Sequence, residues 1–181
     1  MLTAERLRTS SRHDYLLYLW YVEDVLRAYG CDAERIAESY LPRLQATPEQ
    51  AQSVQRWYTD LCEMMHSEGC IEGGHLQLVQ NVEQELEELH QRLLREPHRF
   101  PEYTALFHKA LPAVRDLQSR RTDASATDLH TILTALYGLM LLVIQGKEVS
   151  SATRQESDVF GALLQRLSAY YTQEKQGLLD T

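Results

Sequence analysis

The distribution of apolar residues along the chain predicts helices almost throughout. Apolar side chains recur at steps of three and four residues, which places them on one face of a helix, and we find no pair of alternating stretches typical of strands. Capping residues, glycines and prolines then mark the helix ends. The predicted helices span residues 12–29, 33–41, 48–67, 75–95, 102–119, 127–145 and 152–175. Pro112 falls inside the fifth, where we expect a kink because proline lacks a backbone donor.

One predicted helix is apolar on every side. The stretch Leu129–Ile144 reads LHTILTALYGLMLLVI, and from Ala135 onward it has no charged side chain at any angle. A helix of this kind is buried all round, in a protein core or in a membrane, and this run is too short and too polar at its start to span a bilayer. We expect a neighbouring backbone to approach Gly138 closely. The residues predicted to be most buried are Leu136, Leu139, Met140 and Val143.

Length and composition agree with this pattern. A chain of 181 residues suits one domain, and only eight glycines and five prolines, with abundant helix formers, favour an all-helical fold. The sequence therefore predicts an all-α, single-domain bundle over residues 1–181, with about seven helices around the central apolar helix 129–145.

The first predicted helix has more apolar surface than one packed face requires. One stripe is formed by Tyr15, Tyr18, Leu19, Val22, Leu26 and Tyr29, and outside it lie Leu16, Leu17, Trp20 and Tyr21. Either this helix lies between two layers of the core, or its second face is an intermolecular surface. Glu23 and Arg27, one turn apart beside Trp20, are explained by an ordinary ion pair. Alternatively, Trp20, Tyr21, Glu23 and Arg27 form a binding surface for a partner or ligand.

Two arrangements resemble metal sites, and we expect neither to bind a metal. The Glu63–His66 and Glu87–His90 pairs have the spacing of di-iron bundles, but both glutamates point away from their apolar stripes. The weak zinc candidates Cys62, His66, Cys70 and His75 match no common structural spacing, and a domain of this size needs no metal to fold. No cofactor is predicted.

Polar residues on the apolar helix supply the alternative site. His130, Thr134 and Tyr137 share one face of it, so each needs a hydrogen-bonding partner inside the bundle. A pocket lined by these three would favour a small-molecule-binding protein, with His130 as the best candidate base. The chain has no nucleophile elbow, phosphate-binding loop or dinucleotide fingerprint, and no catalytic residue is assigned.

Charge and cysteine content limit the partners and the compartment. A net charge of −8 argues against nucleic acid and against anionic membranes. The N-terminal residues lack the apolar core of a signal peptide, and three cysteines cannot all pair within one chain. We expect a cytoplasmic protein with free thiols.

Several segments resemble a known family. They are YLLYLWYVEDVLRA, GHLQLVQNVEQELEELHQRLL, FPEYTALFHKALPAVRDL and the short LYG at Leu136–Gly138. The chain resembles an uncharacterised all-helical family of Bacteroidetes, classed as a domain of unknown function, over nearly its whole length. The resemblance implies a cytoplasmic bacterial helical protein and carries no activity, cofactor or site residue with it.

Two functions are consistent with these observations. The first is a non-enzymatic helical interaction protein that binds itself or another protein through the apolar surface of the first predicted helix. The second is a small-molecule- or metal-binding protein, or an enzyme, with a pocket beside the central helix. A flat exposed patch around Trp20 and Tyr21 would favour the first function. A pocket lined by His130, Thr134 and Tyr137 would favour the second.

Overall fold

The structure, a computed structural model, describes residues 2–120 and 126–179, and these are helical apart from short connections. The helices are α1 (Leu2–Ser10), α2 (Arg12–Ala28), α3 (Ala33–Ser39), a 3₁₀ helix (Leu41–Leu44), α4 (Pro48–Ser67), α5 (Gln77–Arg95), α6 (Pro101–Ser119), α7 (Asp128–Ile144) and α8 (Ser151–Lys175). The predicted all-α class is confirmed. Each of the seven predicted helices is present as α2 to α8, with ends within two residues of those predicted.

Local capping chemistry explains why these ends were predictable. Gly30 ends α2 at φ +70°, and the backbone N–H of Cys31 donates to the carbonyl of Leu26 at 2.8 Å. Before α4, the backbone N–H of Thr47 donates to Gln50 Oε1 at 3.2 Å. Thr127 caps α7 by accepting the backbone N–H of His130 at 3.1 Å. Ser125, which the sequence also offers as a cap for this helix, lies outside the described residues.

Sequence reasoning missed helix α1. Its nine residues have no N-terminal capping signal, and a helix so short is marginal in isolation. Ala4 is buried, so tertiary packing stabilises this segment. Helix α6 runs from Pro101 to Ser119 with Pro112 inside it, and the kink there stays a prediction.

The contacts between residues divide the chain into two compact units. Unit 1 comprises residues 1–10 and 14–82, which include α1, most of α2, α3, the 3₁₀ helix, α4 and the start of α5. Helix α3 packs against α4. The most deeply buried side chains of this unit are Leu16, Leu26, Ile36, Tyr58, Met65 and Leu76.

Unit 2 comprises residues 11–13 and 83–181, which include the remainder of α5 and helices α6 to α8. Helix α6 packs against both α7 and α8, and α7 packs against α8. The fully buried side chains of this unit include Leu86, Leu89, Tyr103, Leu129, Ile132, Leu133 and Leu164. The prediction of one domain over residues 1–181 stays a prediction.

Helix α7 is buried in its first half only, which corrects the prediction of a helix buried throughout. Its buried residues are Leu129, Thr131, Ile132 and Leu133. The residues predicted to be most buried are not: Leu136, Leu139 and Met140 are half-buried and Val143 is exposed. The apolar pattern continues past Leu133, but the described elements cover this later part of the helix only partly. None of the described helices combines the length and the apolarity needed to cross a membrane.

Candidate interaction surface

The second half of α7 presents apolar side chains to solvent. We call residues Leu136–Ile144 the apolar end of α7. Val143 is 61% exposed, Ile144 is 59% exposed and Leu142 is 37% exposed, while Leu136, Tyr137 and Leu139 to Leu141 are half-buried. A cluster of apolar side chains exposed on one short segment marks an interaction surface more often than scattered single residues do.

Residues on one face of α7 are buried in the first half of the helix and become exposed toward its end. Leu136 and Val143 lie four and eleven residues after Ile132, so all three lie near one side of the helix. Ile132 is fully buried and Val143 is mostly exposed. The difference therefore comes from what surrounds each part of the helix, because the helical periodicity is unbroken.

Gly138 is exposed and has open space over it. A Cβ atom built at this position would meet no atom within 4 Å outside the helix itself. The expected close approach of a neighbouring backbone is therefore wrong for the described part of the chain. The glycine leaves a shallow gap on the surface of the apolar end of α7.

The aromatic surface that the sequence predicts on α2 is largely buried. Trp20 is 4% exposed, and Leu16 and Leu17 are also buried, while Tyr21 is half-buried. The Trp20 ring stacks on His75 with 5.2 Å between ring centroids and 21° between the planes. Of the two alternatives, a covered second face of α2 fits the burial of Leu16, Leu17 and Trp20.

The polar residues beside Trp20 anchor a loop. Glu23 is buried, and its carboxylate accepts hydrogen bonds from His75 Nδ1 at 2.5 Å and from the backbone N–H of Leu76 at 2.8 Å. Arg27 donates to the carbonyl of Cys70 at 3.2 Å and to the carbonyl of Gly74. These bonds hold the segment before α5 against α2. A binding role for Trp20, Tyr21, Glu23 and Arg27 stays a prediction.

The four weak zinc candidates are not gathered around one point in the described part of the chain. Cys62 is buried, and burial raises the pKa of its thiol to about 11. His66 Nε2 donates to the carbonyl of Cys31 at 3.1 Å. The Cys70 thiol lies 3.4 Å from the carbonyl of His75. Within the described residues, no group of three or more His, Cys, Asp and Glu side chains is arranged to hold a metal ion.

The two Glu-x-x-His pairs also differ from a di-metal arrangement. Glu63 is exposed, whereas Glu87 accepts a hydrogen bond from Thr127 Oγ1 at 2.9 Å. His90 is buried, with Nδ1 2.6 Å from the hydroxyl of Tyr103. Burial lowers the pKa of His90, which favours the neutral ring. His90 is therefore a core histidine whose Nδ1 has a hydrogen-bond partner.

The alternative pocket beside α7 gains no support from the described cavities. His130 Nδ1 lies 2.6 Å from Glu83, and Thr134 and Tyr137 are half-buried. A cavity of about 270 Å³ is lined by Ala37, Leu41, Pro42, Gln45, Ala46, Ala51, Val54 and Gln55. A second, of about 560 Å³, is lined by Glu87, Glu88, Gln91, Arg92, Arg95 and Glu174. Neither of these two cavities includes His130, Thr134 or Tyr137.

Sequence reasoning missed the apolar end of α7 as a surface. The lack of charge from Ala135 onward was the signal, and it indicated only that this segment requires apolar surroundings. The same pattern suits a helix covered by its own chain and a helix covered by another molecule.

The comparisons confirm the resemblance to an uncharacterised family, while its bacterial origin stays a prediction. No curated protein and no solved structure is significantly similar to the chain. The family model that does match covers residues 1–178, nearly the whole length. The chain belongs to the family described as "Domain of unknown function (DUF4924)".

Proposed function

We propose that the protein is a non-enzymatic interaction protein and that the apolar end of α7 is its docking element. The observation that carries the proposal is the exposure of Val143 and Ile144, which are 61% and 59% exposed at the end of a segment that has no Asp, Glu, Lys or Arg. The surface predicted from sequence lay on α2, and the proposal moves it to α7 because Leu16, Leu17 and Trp20 of α2 are buried.

The exposed side chains give a driving force for association. Removing apolar surface from water contributes about 25 cal/mol per Å², and full burial of a valine or leucine side chain contributes about 1.5–3 kcal/mol. In the isolated chain, Leu142, Val143 and Ile144 are 37–61% exposed. Much of this free energy is therefore gained only when a partner covers them. The half-buried residues before them add to it.

The chemistry of the surface defines the partner. Between Leu129 and Gln145 the chain has no Asp, Glu, Lys or Arg. A partner that placed a charge against this surface would bury that charge without an opposite charge to pair with it, at a high cost in free energy. The partner must therefore present an uncharged apolar surface, and a second helix fits because side chains of two helices interlock along their lengths.

The proposed compartment is the cytoplasm. The three cysteines Cys31, Cys62 and Cys70 are all free and buried. Free thiols are typical of a reducing compartment. The net charge of −8 supports a protein partner over nucleic acid or an anionic membrane.

The docking role can be tested by placing cations on the apolar end. Val143→Lys combined with Ile144→Lys adds charge near the C-terminus of α7, where cations are compatible with the helix dipole, so the fold should persist. Wild-type protein should bind the apolar dye anilinonaphthalene sulfonate when dilute, or associate when concentrated, and the double variant should do neither. Circular dichroism melting reports whether the fold is retained.

Leu44→Lys is the matched control. Leu44 lies in the 3₁₀ helix and is 37% exposed, the same exposure as Leu142. It should leave dye binding and association unchanged. The proposal is wrong if the double variant unfolds as a core variant does, or if it matches wild type in both dye binding and association.

A further inference from the structure

We propose that His90 and Tyr103 form an acid-sensitive switch within unit 2. While His90 is neutral, its side chain holds α5 against α6, and the contact loosens when His90 takes up a proton. Three observations carry this inference: both side chains are buried, they share a hydrogen bond, and that bond leaves one buried nitrogen of His90 over. The switch does not depend on the apolar end of α7.

His90 is enclosed by aromatic rings. The residue is fully buried, and the imidazole meets the rings of Tyr103 and Phe107 edge to face, with 5.7 Å and 5.1 Å between ring centroids. Tyr170 of α8 packs in turn on the Tyr103 ring, with 6.2 Å between centroids. Water therefore cannot solvate a charge on this imidazole, and a buried charge without a partner is costly in free energy.

The hydrogen bond to Tyr103 determines where the neutral ring carries its proton. Nδ1 lies 2.6 Å from the Tyr103 hydroxyl, while Nε2 is buried without a hydrogen-bond partner among the described residues. If Tyr103 donates to Nδ1, only the Nε2–H group stays unpaired. If Nδ1–H donates instead, both the hydroxyl proton and the Nε2 lone pair stay unpaired. The first arrangement is favoured because it leaves fewer buried groups unpaired.

Uptake of a proton disrupts this arrangement. The proton binds to Nδ1, which becomes a donor and no longer accepts the hydroxyl proton of Tyr103. The Tyr103 hydroxyl and the Nε2–H group are then two buried donors without acceptors, beside a buried positive charge. Movement of α5 away from α6 at this point would let water reach all three, and we therefore expect the contact to loosen.

Two carboxylates influence His90 and are already bonded to other groups. Glu87, one turn earlier on α5, accepts a hydrogen bond from Thr127 Oγ1 at 2.9 Å. Asp128 of α7 accepts one from Arg115 at 2.9 Å. Their negative charges favour the protonated ring, but burial has the larger effect and lowers the pKa of His90. Neither carboxylate is therefore free to become the partner of a charged His90.

Stability should fall as the solution becomes acidic. In the unfolded chain the pKa of His90 returns to its usual value of about 6.5. Folding lowers this pKa, so the unfolded state binds more protons below about pH 6.5. The stability associated with neutral His90 is present above that pH and is lost as the pH falls below it.

The first test measures thermal unfolding by circular dichroism between about pH 7.5 and about pH 5.5, on both sides of the usual histidine value. His90→Gln keeps an acceptor for the Tyr103 hydroxyl but does not titrate. The melting temperature of wild type should fall over this range, and that of His90→Gln should fall clearly less. If His90→Gln does not fold, His90→Phe combined with Tyr103→Phe removes both polar partners at similar shape and should give the same flatter profile.

His108→Gln and His13→Gln are the matched controls. His108 is exposed on α6, with its ring beside Phe107. His13 is another buried histidine of unit 2, with Nδ1 2.7 Å from Ser168 Oγ. Both variants should retain most of the acid-dependent loss of wild type. The proposal is wrong if the His90 variants keep the full loss, or if His13→Gln removes it instead.

The second test determines whether the loosening is local. Ala110→Cys places a thiol on the buried face of α6 that includes Tyr103 and Phe107, whereas the three native cysteines are buried in unit 1. The protein is labelled with dithiodipyridine, and mass spectrometry identifies the labelled residue. Acid should speed labelling of the new thiol several-fold relative to the native ones, which correct for the effect of pH on thiol reactivity. Adding His90→Gln should abolish this increase.

Two outcomes of the labelling would overturn the switch. Equal acceleration at the new and the native thiols would show that acid unfolds both units together. An increase that persists in the presence of His90→Gln would show that another group takes up the proton.

Discussion

The segment Tyr15–Val22 near the start of α2 and the apolar end of α7 have similar chemistry and opposite environments. Both segments present apolar side chains nearly all round the helix. At the start of α2, Leu16 and Trp20 are buried, whereas Val143 and Ile144 at the end of α7 are mostly exposed. An apolar pattern therefore indicates a need for burial, and the rest of the fold decides whether the same chain provides it.

Polar anchors distinguish the two segments. Beyond Trp20 on α2, Glu23 and Arg27 hydrogen-bond to the loop before α5 and hold His75 on the indole ring. The apolar end of α7 has no charged side chain, so it has no ionic anchor of this kind. Directional hydrogen bonds and apolar packing together fix a neighbouring loop, while an uncharged helix end can bind any apolar surface that fits.

The largest expected effect is the loss of Trp20. Trp20→Ala should lower the free energy of unfolding by about 3–5 kcal/mol, because it removes a buried ring and leaves a cavity. Urea titration followed by circular dichroism measures this change. Trp57→Ala, at a half-buried tryptophan of α4, should have a smaller effect. If Trp20→Ala instead leaves the stability unchanged and abolishes association, the interface lies on α2. The contrast between the two segments would then not hold.

A second pair of variants compares the two halves of α7. Ile132→Ala should cost about 2–5 kcal/mol, because Ile132 is fully buried. Leu139→Ala, at a half-buried position, should cost about 1 kcal/mol or less in the monomer. Chemical denaturation of dilute protein measures both. Equal losses would mean that the apolar end is covered in solution and that the comparison does not hold.

A third pair tests the polar anchors. Glu23→Gln removes a buried carboxylate that accepts two hydrogen bonds, and we expect a loss of about 1–3 kcal/mol. Glu83→Gln affects the more exposed pair with His130 and should cost less than about 1 kcal/mol. Thermal melts at neutral pH measure the difference. If the two losses are the same, the Glu23 network does not explain the burial of Trp20.

The sequence by itself determined the helices and most of their ends. Gly30, Thr47 and Thr127 act through neighbouring backbone groups, so their effects can be read from a few adjacent residues. Helix α1 has no such signal and depends on packing, which is why it was missed. Periodicity also identified α7 and α2 as the helices with excess apolar surface.

Only the tertiary structure decided which of those surfaces is covered. The stacking of Trp20 on His75 joins residues 55 positions apart, and the exposure of Val143 depends on which elements reach the end of α7. Helical periodicity fixes the direction of a side chain around its own axis. It contains no information on what lies in that direction, because packing depends on residues distant in the sequence.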